Sequence, residues 1–331
     1  MNPDIYSLIT SKGCQFHCTF CETNSFEEGR GNRIGEALNA EGLRFRKPGQ
    51  IRQKSPSKVI SEIKQVLEMG AQVRFVEFMD DEFSYSLPWV EEFSELYKKE
   101  VNLPFWCQFH PHSVSNDIIK NLKSAGLFYV NMGLQTGSER VRRKVLGRPE
   151  TDLDFREAVT KVHAVNIIPK IDLIFDNPYE TQDDKEDAIN YFLTLPKPFH
   201  FRIMSLCYFP GTKLTERALR DGLITDQDVE GNSTKTFNNM FVNTDQNRPP
   251  SELFWILLSP LAGSRLVPRF MVRWIVKNKK FFTENVKILI PVSHGVHILG
   301  MIEKGWNMFL RGQITIALLK NYSKYLFKIS S

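Results

Sequence analysis

The chain has 331 residues, of which 42% are hydrophobic and 24% are charged, and its formal charge at pH 7 is +5. This composition describes an ordinary soluble globular protein, and the length favours one large α/β domain with an appendage. A net charge this small does not by itself indicate a nucleic-acid partner. Five cysteines, an odd number, do not suggest a secreted disulfide framework.

The N-terminus shows no signal peptide, and no uncharged apolar run reaches the roughly 18 residues that a spanning helix needs. The longest candidate, residues 288–302, contains Pro291 and two histidines. We therefore expect a reduced, cytoplasmic compartment.

Strand-like and helix-like segments alternate as far as about residue 222. The predicted strands are 4–10, 73–79, 104–110, 129–135, 169–175 and 199–209. Amphipathic helices are predicted at 55–70, 88–100, 115–125, 138–146, 153–165, 181–194 and 212–221. Six strands, each followed by a helix, predict a parallel α/β sheet that winds in one direction.

Polar residues follow most of the predicted strands. They are Asp80, Asp81, His110, Gln135, Asp176, Gly211 and Thr212. In a barrel-like α/β fold the carboxyl ends of the strands form the active face, so these residues are expected to converge there.

The chain is divided into three parts by its patterning. Residues 1–225 carry the strand–helix alternation and form the predicted core domain, and residues 226–250 are polar and Asn-rich, which predicts a linker or loop. Residues 251–331 are predicted to form a helical C-terminal extension. Within it, 266–282 mixes Phe, Trp and Met with Arg and Lys, which allows either a helix packed on the barrel or a peripheral membrane contact.

Three of the five cysteines, Cys14, Cys18 and Cys21, fall in the stretch GCQFHCTFC. Thiolates are soft ligands suited to iron–sulfur clusters and to zinc. A closed zinc site needs four ligands, and only His17 is available nearby, at an awkward spacing for a tetrahedron. Three thiolates on a cubane leave one iron open to a small molecule, so a 4Fe-4S cluster is predicted and zinc is kept as an alternative. Cys107 and Cys207 are predicted to be buried structural thiols.

GCQFHCTFC, with Phe20 before its last cysteine, resembles the signature of radical S-adenosylmethionine (radical SAM) enzymes. The resemblance implies that Cys14, Cys18 and Cys21 hold a 4Fe-4S cluster. The amine and carboxylate of S-adenosylmethionine would chelate the fourth iron, and reductive cleavage would release a 5′-deoxyadenosyl radical. It also implies a partial TIM-type (β/α)6 barrel, an α/β fold, over residues 4–222.

Further segments carry the same resemblance. VRFVEFMDDEFS (73–84) is similar to the second-strand motif that receives the methionine amino group, which places Asp80, Asp81 and Glu82 near the cofactor. VNMGLQTGSERVRRKVLGRP (130–149) is similar to the fourth-strand segment, where Gln135 would face the ribose and Arg148 would neutralise the cofactor carboxylate.

IPKIDLIFDNPYET (168–181) corresponds to the fifth-strand segment, and Asp172 falls where relatives place an acid near the cofactor. Here Asp176, Asn177 and Tyr179 replace the small residues of the family's glycine-rich turn, so adenine packing at this turn is in doubt.

The segments look most like the branch of the superfamily that usually carries a cobalamin-binding domain before the barrel. The sequence contains no DxHxxG cobalamin motif, so cobalamin use is left open. The reaction class is left open between methyl transfer and oxidoreductase or cyclase chemistry. An RNA-modifying enzyme and a zinc-binding interaction protein are the alternatives, although the helical tail does not suggest a nucleic-acid module. The expected partners are a small-molecule or lipid-like substrate and an external electron donor of flavodoxin or ferredoxin type.

Overall fold

The computed structural model describes residues 4–23, 51–83, 86–233 and 248–310. Six parallel strands form one sheet in chain order: β1 (Ile5–Leu8), β4 (Phe75–Phe78), β5 (Phe105–Phe109), β6 (Leu127–Gln135), β7 (Lys170–Phe175) and β8 (His200–Ser205). Between β1 and β4, β2 (Ser11–Lys12) and β3 (Arg52–Gln53) pair antiparallel. Since β1 and β8 stand at opposite ends of the strand order, the predicted partial α/β barrel is confirmed.

The helices between the strands lie where the sequence predicts them. They are α1 (Pro56–Glu68), α2 (Leu87–Glu100), α3 (Asn116–Ala125), α4 (Glu139–Lys144), α5 (Asp152–Ala164), α6 (Gln182–Phe192) and α7 (Lys213–Arg220). Thr151 and Thr181 begin α5 and α6 with complete capping boxes, in which each threonine is bonded reciprocally to the aspartate three residues later.

The predicted linker, 226–250, starts with a helix, α8 (Asp226–Ser233), so this part of the loop prediction is wrong. The Thr225 and Asp228 side chains bond each other's backbone N–H groups, which satisfies the donors at the start of the helix. The Thr-x-x-Asp spacing was the sequence signal for the start of this helix, although the polar composition of the segment favoured a loop. The rest of the segment, 234–247, lies outside the described residues.

The predicted helical extension is present as α9 (Pro250–Gly263), α10 (Arg269–Lys277), α11 (Lys279–Glu284) and α12 (Leu289–Leu310), and 311–331 lie outside the described residues. α9 is buried over most of its length, and one hydrophobic cluster contains side chains of both the barrel and α9 to α11. Trp255 of α9 donates to the Gln182 side chain of α6 across 2.6 Å. Of the described helices, none combines the length and apolar character that crossing a membrane requires.

The two faces of the strands separate apolar from polar side chains. On β7, Ile171 and Leu173 belong to the hydrophobic cluster under the helices, and Asp172 between them points to the other face. There it meets Arg202 of β8, its partner in the strand register, in a bidentate ion pair of 2.7 and 2.5 Å. Gln108 of β5 accepts from the same guanidinium at 3.4 Å. The interior of the barrel is therefore lined in part by buried polar groups.

A substitution at Gly263 can test whether the helical extension is packed tightly on the barrel. A Cβ at this position would lie 2.5 Å from the carbonyl oxygen of Phe199 and 2.9 Å from its ring. We expect Gly263→Ala to lower the free energy of unfolding by about 2 kcal/mol because this packing is too close for an added methyl group. The measurement is urea denaturation followed by circular dichroism.

Gly295→Ala is the matched control, since a Cβ there meets no atom within 4 Å and the residue lies inside α12. It should raise the free energy of unfolding by about 0.5–1 kcal/mol through helix propensity. Equal effects of the two substitutions would contradict the close packing of α9 on the barrel.

Candidate cofactor site

The start of the loop that carries the three cysteines is hydrogen-bonded to a buried carboxylate. Asp80, which follows β4, is 0% exposed. It accepts from the backbone N–H groups of Thr10 and Ser11 at 2.9 and 2.5 Å and from their hydroxyls at 2.8 and 2.7 Å. These four bonds fix the exit from β1, because a buried carboxylate is stable only when its lone pairs are satisfied. Direct contact of Asp80 with a cofactor stays a prediction, since protein donors surround the carboxylate.

Thr19 anchors the middle of the loop. Its N–H donates to Leu146 O at 2.9 Å, its hydroxyl donates to Val145 O at 2.7 Å, and its carbonyl accepts from Leu214 N at 2.9 Å. The loop is thereby held between the end of α4 and the start of α7. Gly147 makes the approach feasible: its φ is +65°, and a Cβ would lie 2.9 Å from the Thr19 methyl group.

The three cysteines of the loop are close enough to influence one another electrostatically. None forms a disulfide, and the charges of Cys18 and Cys21 both raise the pKa of Cys14. Burial is the larger cause: it raises the pKa of Cys14 to about 12 and that of Cys18 to about 11. The thiols therefore stay protonated at neutral pH unless a positive centre binds to them. Three soft sulfur donors on one anchored loop fit an iron–sulfur cluster.

The zinc alternative depends on a fourth ligand. His17, the histidine of the loop, is exposed. Among the described residues, no three His, Cys, Asp or Glu side chains are grouped closely enough to hold a single metal ion. Ligation by the cysteines therefore stays a prediction for both metals.

Arg148 brings a buried positive charge to the cysteine loop. The residue is only 6% exposed, and its Nη1 lies 3.8 Å from Cys18 Sγ. Nε donates to Glu150 at 2.5 Å, and Nη2 donates to the Gly133 carbonyl at 2.7 Å. The guanidinium is thus fixed on three sides, and its charge lowers the pKa of Cys18 against the effect of burial. Contact with the cofactor carboxylate, predicted for Arg148, is not tested by this arrangement.

Glu150 and His110 extend this network, and sequence reasoning missed Glu150. Glu150 is 0% exposed, and its Oε2 lies 3.2 Å from His110 Nε2. Burial alone would raise the pKa of Glu150, but the contacts with His110 and Arg148 hold it at about 2. Burial lowers the pKa of His110 to about 4, so the ring is neutral at pH 7. The ring also stacks on Phe16 of the cysteine loop, with centroids 3.4 Å apart.

A sequence signal for Glu150 existed in the Arg148–Pro149–Glu150 tripeptide. Proline restricts the residue before it to an extended conformation. Alternate side chains of an extended segment point to the same side, so this tripeptide predicts that the side chains of Arg148 and Glu150 are neighbours.

The two acids after Asp80 take different positions. Glu82 is 2% exposed, accepts from Gln15 Nε2 at 3.3 Å and from the Ser113 hydroxyl, and raises the pKa of Cys14 by its charge. Burial raises the pKa of Glu82 itself to about 7. Asp81 is exposed and accepts from the Thr23 hydroxyl at 3.3 Å. Of the three predicted acids, Glu82 therefore faces the cysteine loop most directly.

The predicted residues of β6 and β7 also differ in their surroundings. The carboxylate of Asp172 is engaged by Arg202, and the cross-strand register was the missing information. Gln135 ends β6 with a φ of +71°, and its buried Oε1 has no hydrogen-bond partner among the described residues. Its Nε2 lies close to Gly133, whose carbonyl accepts from Arg148. The unpaired acceptor of Gln135 fits a hydroxyl donor from a ligand.

The turn after β7 is held by its own polar residues. Asp176, with a φ of +62°, accepts from the Ser205 hydroxyl and forms an ion pair with Arg248. Asn177 accepts from Tyr179 N at 3.1 Å. These bonds hold the turn together, and adenine packing there is not tested by this arrangement. Cys107 and Cys207 are buried, as predicted.

A parallel partial barrel with a three-cysteine loop at the carboxyl end of its first strand defines an α/β enzyme class built around a bound cofactor. The family model described as "Radical SAM superfamily" matches residues 8–192. The chain belongs to the radical SAM superfamily. The family predicted from the cysteine motif is thereby confirmed, as is the prediction that the protein is an enzyme, and membership implies a 4Fe-4S cluster and S-adenosylmethionine.

Three relatives define the extent of the similarity. An uncharacterized methyltransferase, PH0819, of Pyrococcus horikoshii is 23% identical over 218 residues, which are 66% of this chain and 42% of that protein. The cobalamin-dependent S-adenosylmethionine radical enzyme OxsB, solved with aqua-cobalamin and S-adenosylmethionine, matches 97% of this chain and 58% of its own at 16% identity and a TM-score of 0.55.

The radical S-adenosylmethionine methyltransferase TsrM of Kitasatospora setae matches 66% of this chain and 39% of its own at 17% identity and a TM-score of 0.48. The chain thus spans between two fifths and three fifths of the length of these relatives.

Asp80 should contribute more to stability than its neighbour Asp81. Asp80→Asn turns one acceptor into a donor that faces the donors of Thr10 and Ser11, so we expect a loss of about 3 kcal/mol in the free energy of unfolding. Asp81→Asn, at an exposed position, should cost about 0.5 kcal/mol. Urea denaturation of the metal-free protein under reducing conditions measures both. Similar losses for the two variants would contradict the anchoring role of Asp80.

Glu82 should make stability depend on pH. Its pKa is about 7 in the folded protein against an ordinary value of 4.5, so between these values the folded state keeps a proton that the unfolded chain releases. The stabilisation that this retained proton gives to the folded state is complete below pH 4.5 and is lost as pH rises to 7. The free energy of unfolding should change by about 3 kcal/mol over this range.

Glu82→Gln mimics the protonated form, so we expect this variant to lose that part of the pH dependence. Glu91→Gln, at an exposed position of α2, should keep the wild-type profile. The measurement is the urea midpoint of the metal-free protein at several pH values. A Glu82→Gln profile that parallels the wild type would refute the assignment.

Proposed function

We propose that Cys14, Cys18 and Cys21 hold a 4Fe-4S cluster and that the protein uses S-adenosylmethionine in a methyl-transfer reaction. When bound, the cluster and S-adenosylmethionine supply reductive cleavage of the sulfonium. The chain's own residues position the cofactors and exclude water from them. The substrate class we propose is a small or lipid-like molecule, and the electron donor is of flavodoxin or ferredoxin type.

The single observation that carries the proposal is the fixed guanidinium of Arg148 beside Cys18. A cluster with three thiolate ligands carries negative charge, and an adjacent buried cation stabilises such charge. Arg148 is also paired with Glu150, so the pair is close to neutral before a cluster binds. The three-point anchoring keeps the guanidinium in place without requiring the cluster.

Two side chains are the best candidates for direct contact with S-adenosylmethionine. Glu82 is a buried carboxyl beside Cys14 with a pKa near neutrality, which suits it to accept from an amine. Gln135 offers an unpaired buried acceptor near Arg148, which suits a ribose hydroxyl. Asp81 is exposed and can adjust to a ligand. Protein groups already occupy the polar atoms of Asp80, Arg148 and Asp172. These three residues would therefore position the residues that contact the cofactor and would not contact it themselves.

Methyl transfer is favoured by the similarity to PH0819 of Pyrococcus horikoshii, an uncharacterized methyltransferase. Cobalamin is part of the proposal only as an added component, because the sequence contains no DxHxxG motif.

The proposal predicts about four iron per chain after anaerobic reconstitution. Reduction with dithionite in the presence of S-adenosylmethionine should then yield 5′-deoxyadenosine. Cys18→Ala should lose most of the iron and all of the 5′-deoxyadenosine. Cys207→Ala is the matched control, because Cys207 is a buried free cysteine outside the three-cysteine motif, and this variant should retain both.

The measurements are iron and zinc analysis by mass spectrometry and product analysis by liquid chromatography. One tightly held zinc per chain with little iron would overturn the cluster assignment. S-adenosylhomocysteine should form when cobalamin is added. If 5′-deoxyadenosine forms and S-adenosylhomocysteine does not, methyl transfer is wrong although radical cleavage stands.

A further inference from the structure

We propose that α10 and α11 form a surface that binds anionic lipid bilayers. The surface consists of the exposed apolar residues Phe270, Met271, Trp274 and Phe281 and the exposed basic residues Arg273, Lys277 and Lys280. It is called the α10–α11 surface below.

The α10–α11 surface exposes large apolar side chains that a folded protein normally covers. Phe270 is 70% exposed, Trp274 is 57% exposed and Phe281 is 53% exposed. Trp274 and Phe281 both contact the ring of Phe282, at 5.4 and 5.3 Å between centroids, so the aromatic groups form one continuous patch. Neighbouring exposed aromatic residues of this kind mark an interaction surface rather than scattered surface hydrophobics.

The opposite side of α10 is already used for packing. Val272, Ile275 and Val276 are buried in the hydrophobic cluster that includes α9. The helix is therefore apolar on two sides, and only one of them has a partner among the described residues. Packing on the barrel, the first of the two sequence interpretations, accounts for the inner side alone.

Charge identifies the partner of the outer side. Residues 265–287 contain seven Lys or Arg and one acid, Glu284, a formal charge of +6. Because the whole chain carries +5, the rest of the chain sums to −1. Lys279 is paired with Glu186 and Arg265 with Glu303, whereas Arg273, Lys277, Lys280 and Lys287 form no ion pair within the described residues.

Basic side chains interleaved with Trp, Phe and Met on one exposed helix face are the chemistry of an interfacial, lipid-binding helix. The rings enter the boundary between headgroups and acyl chains, and the long basic side chains reach the anionic headgroups.

The α10–α11 surface lies away from the cysteine loop. Arg269 of α10 donates to Leu195 O, and Lys197 donates to the carbonyl of Val267 just before α10. Leu195 and Lys197 precede β8, so α10 lies near the amino end of that strand, whereas the cysteine loop follows the carboxyl end of β1. In a parallel sheet these ends are on opposite sides. Lipid binding can therefore be tested without changing the cofactor site.

Vesicle sedimentation with the full chain tests the proposal. We expect binding to vesicles of phosphatidylcholine and phosphatidylglycerol, little binding to phosphatidylcholine alone, and weaker binding as salt is raised. Arg273→Glu combined with Lys277→Glu should weaken the partition coefficient by about tenfold or more. Phe270→Ser combined with Trp274→Ser should also weaken it, at both low and high salt.

Matched controls lie elsewhere on the surface. Lys98→Glu combined with Lys99→Glu reverses two exposed charges on α2, and Leu153→Ser removes a side chain that is 59% exposed. Both should bind vesicles like the wild type, and all variants should keep the wild-type circular dichroism and melting temperature.

Three results would overturn the proposal. They are equal binding to neutral and anionic vesicles, an equal loss of binding in the controls, and failure of the full chain to bind. In the last case, a dimer in size-exclusion chromatography that Phe270→Ser with Trp274→Ser dissociates would assign the surface to a second copy of the chain.

Discussion

The arrangement of the site depends on the need of three partly or fully buried thiols for positive charge. Burial alone holds the Cys14 and Cys18 thiols in their protonated forms, which bind metals poorly. The fixed guanidinium of Arg148 lies 3.8 Å from Cys18 Sγ, and its positive charge lowers the pKa of Cys18 against the effect of burial. Glu150 in turn makes the burial of Arg148 tolerable, and His110 stays neutral, so the network adds no further positive charge beside the loop.

Buried carboxyl groups have two roles in this fold: some hold the structure together, and one is able to respond to a ligand. Asp80 and Asp172 are saturated by protein donors, and each holds two parts of the barrel in register: the cysteine loop against β4, and β7 against β8. Glu82 accepts only from the uncharged side chains of Gln15 and Ser113 among the described residues, and burial raises its pKa to about 7, which leaves it able to respond to a ligand. The number and the charge of the donors around each carboxyl group, and not its position in the motif, separate the structural acids from the responsive one.

The helical extension packs on the barrel with its inner side and exposes a different surface on its outer side. α9 is part of the common hydrophobic core, and Gly263 permits its close approach to Phe199. α10 uses one face for the same core and presents a basic, aromatic face outward. The extension is therefore continuous with the barrel in packing, while its outer surface differs from the rest of the chain in charge.

The sequence by itself determined the order of strands and helices, the cysteine loop and the family, because hydrophobic period, capping residues and the spacing of Cys14, Cys18 and Cys21 are local properties of the chain. Tertiary structure alone decided which polar groups are occupied by partners that are distant in the sequence. The partners of Asp172 and Arg148 come from other strands and from a distant loop, 30 and 130 residues away in sequence for Arg202 and Cys18. Burial, and with it the pKa of each group, is a property of the packed molecule, so no pattern of neighbouring residues could supply it.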